Sequence, residues 1–213
     1  MTELVFDCVD AQPERYGAVP TLLFKLRVSE TSGEAIHAIA LRCQIRIEPQ
    51  RRRYSPAEEE RLLDLFGETP RWGDTLKPLQ FTSVGVMVPG FKGSTDIDLP
   101  VVCTYDFEVA AAKYFHSLED GEIPLLLLFS GTVFAKAGSG FAIHQVPWHK
   151  EDSYRLPVRV WRELMDMYFP NSAWIRVRRE TLDALQLFKS RRALPMWDDA
   201  FEALLEEAGE KPA

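Results

Sequence analysis

The feature that most constrains this chain is a period of two. Ile39, Leu41, Cys43, Ile45 and Ile47 occupy one phase, and Ala40, Arg42, Gln44, Arg46 and Glu48 the other. Strand side chains alternate across two faces, so this run reads as a strand with one dry and one wet face. Leu22, Phe24, Leu26 and Val28 repeat the pattern, and the intervening Thr31-Ser32-Gly33-Glu34 reads as the turn of a hairpin. A sheet dry on one side is the antiparallel habit. Further strands are expected at Phe81–Val88, Val101–Val109, Pro124–Phe134 and Phe141–Val146. Leu125 to Phe129 are apolar on both phases, which predicts a central strand covered on both faces. The absence of strand–helix–strand alternation excludes a doubly wound parallel sheet.

Helical spacing interrupts this pattern twice. Ser55-Pro56-Ala57-Glu58 has the form of a capping box with Pro in the first turn, Leu62, Leu63, Leu65 and Phe66 supply a buried stripe, and Gly67 ends it. After Tyr154, Pro157 opens a helix carrying Val158, Trp161, Leu164, Met165 and Tyr168, which Pro170 stops. A short alternating piece, Trp174–Arg178, precedes a helix near Glu180–Ser190 and a last one with Trp197, Phe201, Leu204 and Leu205, ended by Gly209. The expected fold is α+β. An antiparallel β-sandwich-like body spans residues 1–155 with a helix inserted near 55–66, and a helical C-terminal segment, 156–213, packs on it.

The chain has 213 residues, enough to bury roughly 70% of its extended surface without staples or a structural metal. Twenty-five Lys and Arg against 32 Asp and Glu give a net charge of −7, which argues against coating nucleic acid or an anionic membrane. Cys8, Cys43 and Cys103 are odd in number and widely spaced, as expected of free thiols in a reducing cytosol. Met1–Cys8 lacks the basic and apolar parts of a signal peptide, and Ile123–Phe129 is too short to span a bilayer. The expected location is cytoplasmic.

Reaction chemistry is sparse. His144 and His149, with Glu151 and Asp152, form the one histidine cluster, but a strand end and a loop are poor supports for a zinc site. No metal or cofactor is expected. Ser130-Gly131-Thr132 sits in a strand pattern, where a nucleophile elbow needs a strand-to-helix turn. Gly90-Phe91-Lys92-Gly93-Ser94-Thr95 lacks the spacing of a phosphate loop, and a strand pattern follows it. Arg42 and Arg46 would pair across strands with Asp106 and Glu108 on the wet face, at roughly 0.2–1 kcal/mol per pair. Arg51-Arg52-Arg53 reads as a solvated triplet able to dock an acidic partner, including this chain's own acidic tail.

The readings left are binding ones. Aromatic residues are plentiful, with five Trp, six Tyr and 13 Phe, and exposed aromatics serve interfaces. Trp148, Tyr154 and Trp174 fall in loop or linker regions and are the expected anchors of a protein interface, with Arg176 and Arg178 beside Trp174. One alternative is an enzyme assembled from Asp106, Glu108, His144 and His149. Another is a DNA-binding dimer, because Trp174–Arg178 followed by two helices is similar to the ribbon-helix-helix arrangement. Residues 171–195 hold six basic and two acidic groups, a local excess of four, but the usual glycine turn is missing and the acidic last helix opposes DNA. Nucleic acid is therefore not the expected partner. An oligomer is compatible with all three readings.

Several longer stretches carry a resemblance. They include Leu41-Arg42-Cys43-Gln44-Ile45-Arg46-Ile47-Glu48-Pro49-Gln50, Arg71-Trp72-Gly73, Lys113-Tyr114-Phe115-His116, Leu126 through Phe134, Val146-Pro147-Trp148-His149-Lys150 and Phe169-Pro170-Asn171-Ser172. On these the chain resembles, nearly end to end, an uncharacterised family of soluble actinobacterial proteins whose genes lie beside those of high-affinity nickel-iron uptake hydrogenases. The resemblance implies an accessory role in assembling or operating a hydrogenase, with a hydrogenase subunit as partner. It carries over no catalytic residue. A nickel-handling route would call for a His-rich tract or Cys/His cluster that this sequence lacks.

Overall fold

The computed structural model describes residues 3–104, 106, 109–137 and 140–210. The chain divides into two compact units, Met1–Ala173 and Trp174–Ala213. In chain order the first holds β1 (Leu4–Pro13), β2 (Thr21–Glu30), β3 (Ala35–Ile47), α1 (Pro56–Arg61), α2 (Leu63–Phe66), α3 (Trp72–Thr75), β4 (Leu79–Val88), β5 (Phe91–Lys92), β6 (Ser94–Val102), α4 (Ala110–Ser117), β7 (Glu122–Ala137), β8 (Gly140–Gln145), β9 (Glu151–Pro157) and α5 (Val158–Tyr168).

The strands form an antiparallel sandwich. One sheet has the order β1-β2-β6; the other has the order β4-β3-β7-β8, with β5 also on β3 and β9 also on β7. Inward phases meet between them. Phe6 of β1 stacks on Phe129 of β7 with ring centroids 4.5 Å apart, and Phe24 of β2 meets the Tyr154 ring of β9 edge-on at 6.0 Å. The alternating set Leu22, Phe24, Leu26 and Val28 is buried, as is the set Ile39, Leu41, Cys43, Ile45 and Ile47. At one side Phe115 of α4 packs on Phe81 of β4 and Trp161 of α5, extending the core through the helices. The α1 capping box forms as its sequence requires: Ser55 Oγ accepts from Glu58 N–H at 3.2 Å, and Glu58 Oε2 from Ser55 N–H at 3.0 Å.

Three local expectations are corrected. First, β2 and β3 are not a hairpin; they lie in different sheets, and the link between them crosses over. Buried Glu30 organises that crossing by accepting hydrogen bonds from Ser32 N–H, Ser32 Oγ–H and Glu3 N–H. Burial would raise its carboxyl, but the bonds from Ser32 and Glu3 outweigh that and hold it below the usual range. Second, the strand expected over Val101–Val109 ends at Val102, and α4 begins at Ala110; Tyr105, Phe107 and Glu108 lie outside the described residues. Asp106 lies past the end of β6, outside any strand. Arg42 stands opposite Gly85 and Ser130, and Arg46 opposite Gln80 and Leu126. A directly opposed charge pair lies on the other sheet, where Arg27 Nε of β2 meets Asp96 Oδ1 of β6 at 2.8 Å. Third, the outer face of β7 is not covered as expected: Leu126 and Leu128 are half-buried and stand apart from the core.

In the second unit, Trp174–Arg178 forms no strand pairing among the described residues. It leads into α6 (Arg179–Arg191) and α7 (Trp197–Ala208), the latter ended by Gly209 in the left-handed region at φ 80°. Among the described residues of this unit only Ala200 is buried.

Candidate functional site

The outer face of the six-stranded sheet is built by β7. Its inward phase, Ile123, Leu125, Leu127, Phe129 and Val133, fills the core. Its outward phase runs from exposed Glu122 and buried Pro124 through half-buried Leu126 and Leu128, exposed Ser130 and half-buried Thr132 to half-buried Phe134. Register sets their neighbours. Leu126 lies between Arg46 and Ser153, Leu128 between Gln44 and Glu151, and Phe134 between Ala38 and Ile143. One strand further, Met87 of β4 stands opposite Ala40. Ile143 is 64% exposed and Met87 61%. A wet sheet face normally alternates to polar residues; this one carries large apolar side chains on its central strand and on both flanks.

A turn projects from the edge of that face. Gly131 has φ 147°, and an added Cβ would overlap the Ala40 carbonyl oxygen, so only glycine lets β3 and β7 close here. Past this point β7 exchanges β9 for β8 as its edge partner, and residues 146–150, which join those two strands, leave the sheet. The excursion is held at both ends. Val146 N–H donates to Gly131 O, and Phe129 N–H donates to Lys150 O, each at 2.9 Å; Lys150 N–H closes the turn on Pro147 O at 3.1 Å. At its tip Trp148 is 91% exposed, touching His149 edge-on at 5.8 Å. An indole held out by a pinned backbone loses little conformational freedom when a partner buries it.

The arginine triplet behaves differently from a solvated run. Arg52 and Glu58 side chains are only 10% and 4% exposed and pair at 2.7 Å. Arg52 also donates to Asp120 O at 3.2 Å and Glu122 O at 3.4 Å, and its guanidinium lies 5.1 Å from the Tyr54 ring centroid. It is thus a structural cation tying α1 to the turn between α4 and β7. Arg51 pairs with Glu48 at 2.8 Å, and Arg53 remains exposed. Arg51, Arg52, Arg53 and Arg155 line an open cleft of about 640 Å³ with Gln50 and Glu122.

Buried titratable groups are set away from reactivity at neutral pH. Burial pushes the thiols of Cys43 and Cys103 up to about 12, and burial followed by the Asp152 charge does the same to Cys8; all three are free. Tyr54 O–H donates to Pro49 O at 2.7 Å and meets Tyr114 Oη at 2.9 Å; burial raises both phenols, Tyr54 to about 12. Burial and the Arg162 charge push His116 down to about 4, so it is neutral against the Trp161 ring 4.6 Å away.

Of the expected interface residues, Trp148 stands on an exposed turn. Tyr154 does not: it lies on β9, half-buried against Phe24, and burial raises its phenol to about 12. The physical reason is the alternation Tyr154-Arg155-Leu156, too short to stand out in sequence, which turns Tyr154 inward. Trp174 is 68% exposed, with Arg176 and Arg178 also exposed, but these three belong to the second unit. His144 sits on β8 and His149 in the turn; Glu108, their proposed acidic companion, lies outside the described residues. Asp152 accepts from Cys8 N–H at 2.6 Å, a link between β9 and β1. Among the described residues no three His, Cys, Asp or Glu gather as metal ligands, and no helix is long and apolar enough to cross a membrane. Phe134, Ile143 and Met87 lie within expected strands, but nothing in the sequence singles them out for the outer face; the two-phase apolar run of β7 is the signal that points to their sheet.

Comparison with solved structures finds remote likeness only. A β-glucosidase from Kluyveromyces marxianus shares 13% identity over 72% of this chain and 15% of that one, with a TM-score of 0.24. β-Glucosidase 3B from Thermotoga neapolitana, in complex with α-D-glucose, shares 12% over 72% and 17%, with a TM-score of 0.23. The chain thus spans about a sixth of their length, and the likeness is too remote to inform the site. No curated protein matches. The match that spans residues 1–213 is to a family of unknown function (DUF6084), and the chain belongs to that family.

Proposed function

We propose that this protein is a noncatalytic binding factor that docks a protein partner on the outer face of its six-stranded sheet. The observation that carries the reading is that face: Phe134, Ile143 and Met87 towards one end and Leu126 and Leu128 towards the other, with Ser130 and Thr132 between them, are large apolar side chains on strands whose other side is already a filled core. Apolar area of this kind gains roughly 25 cal/mol per Å² when a partner removes it from water. The Trp148 turn at its edge has the exposure and fixed backbone of an interface anchor. The partner in this reading is a nickel-iron hydrogenase subunit or precursor, met in the cytoplasm and aided in assembly or stability. The resemblance of the sequence to a hydrogenase-associated family supports that choice.

The test is affinity capture from cells expressing both the tagged chain and the hydrogenase. The intact chain should recover hydrogenase subunits. Trp148→Ala and Ile143→Asp, both on exposed side chains, should keep the thermal unfolding midpoint and lower recovery at least about tenfold. Recovery of no hydrogenase subunit, or equal recovery by both variants, would overturn the reading.

A further inference from the structure

Two clefts adjoin at Gln50. The first is the arginine cleft of about 640 Å³; the second, about 480 Å³, is lined by Trp72, Leu76, Lys77 and Pro78. Gln50 lines both, so a cationic cleft and a cleft holding Trp72, Leu76 and Pro78 lie side by side, and a ligand spanning Gln50 would meet them as the cationic and apolar halves of one groove. The apolar half is preformed. Trp72 Nε1–H donates to Gly67 O at 2.8 Å, and its ring packs edge-on against Tyr54 and Phe66 at 5.2 and 6.3 Å. The cationic half is shaped by Arg52, whose charge is taken by Glu58. The cations left to meet a ligand are Arg53 and Arg155, with Arg51 held on Glu48 and Lys77 across the junction. Glu122 is the one acidic residue of the lining, and its contact with Arg155 is a loose 3.7 Å. The groove also continues the outer sheet face, because Arg155 lies opposite Pro124, two residues along β7 from Leu126.

We propose that this groove binds an acidic segment of the partner protein, with its carboxylates on Arg53 and Arg155 and an adjacent apolar side chain against Trp72 and Leu76. This deepens the binding reading above by naming the chemistry of the partner. Three features favour carboxylates on a peptide. Guanidinium forks match carboxylates in paired hydrogen bonds. The neighbouring apolar half would be idle with a bare anion. The molecule as a whole carries −7, so an acidic segment is repelled elsewhere and drawn to its cationic cleft.

The test is calorimetric titration of the full chain at low ionic strength with the acetylated, amidated peptide Glu-Glu-Leu-Glu-Glu. Its Gln-Gln-Leu-Gln-Gln counterpart and inorganic phosphate are titrated in parallel. The acidic peptide should bind saturably and at least about tenfold more tightly than the glutamine peptide, and added salt should weaken it. Arg53→Ala with Arg155→Ala should lower its affinity at least about tenfold without moving the thermal unfolding midpoint, since both side chains are exposed. No binding, equal binding of the glutamine peptide, or an unaffected double variant would overturn the proposal. Phosphate displacing the peptide at equal charge concentration would also overturn it, by showing a simple anion site. Hydrogenase capture, read with Trp148 and Ile143, fails or succeeds independently of this titration.

Discussion

His116 shows how much one side chain's surroundings decide. Its position in Lys113-Tyr114-Phe115-His116 carries no warning, yet in the fold it lies against Trp161 and near Arg162, and both burial and that cation disfavour its proton. The consequence is a stability that depends on pH. In the unfolded chain the imidazole titrates near 6.5, and in the folded protein near 4. Above about 6.5 both states are neutral and the fold keeps its full stability. As pH falls from there towards 4, the unfolded state gains a proton the folded state refuses, so stability is lost, and the loss levels off once the folded imidazole also protonates. Chemical denaturation of the wild type and of His116→Gln across this window should show a smaller acid-side loss in the variant; identical profiles would refute the assignment. Gly131 is a residue of the opposite kind: a glycine inside a strand pattern often marks a close approach of another backbone, and here the Ala40 carbonyl is what approaches.

At the scale of elements, β7 and the Arg52 junction carry the argument. The strand's apolar run, Leu125 to Phe129, was legible as central, and it is: β3 pairs along one edge, β8 and β9 along the other. That both its faces would be covered did not follow, because a hydrophobic run states a preference for burial without naming what does the covering. The proposed docking surface is this difference. Arg52 is the converse case. Three consecutive arginines look like solvated charge, yet the middle one is buried because the α1 capping glutamate, Glu58, and two turn carbonyls at Asp120 and Glu122 converge on it. Replacing it strands Glu58 in a nearly dry site. Arg52→Ala should therefore cost about 3–5 kcal/mol in denaturant unfolding, against under about 0.5 kcal/mol for Arg53→Ala. Equal, small costs for the two would show that the buried pair is not holding the junction.

The molecule as a whole is two units of unequal density. The first closes a core between two sheets and extends it through α4 and α5; the second buries a single described residue, Ala200. The segment that joins them, 171–178, is exposed throughout and contains Arg176 and Arg178. Brief trypsin digestion should cut at these arginines before any site within β1–β9, leaving a fragment that contains the sandwich and keeps its β-sheet circular dichroism. First cleavage inside the sandwich would contradict the division.

What the sequence determined alone is local. Period-two runs set which side chains of β2 and β3 face inward, the capping box set where α1 starts, and Gly67 and Gly209 set where helices stop, because each depends on residues within a few positions of one another. The tertiary structure decided everything that joins distant residues: that β2 pairs with β1 and β6 rather than β3, that Arg27 finds Asp96, that Tyr154 turns in while Leu126 and Leu128 turn out. Alternation assigns a face but not a partner, and the entropy of closing a loop rises only slowly with its length, so proximity in sequence has little power to choose among pairings. Packing of the two inner faces makes that choice.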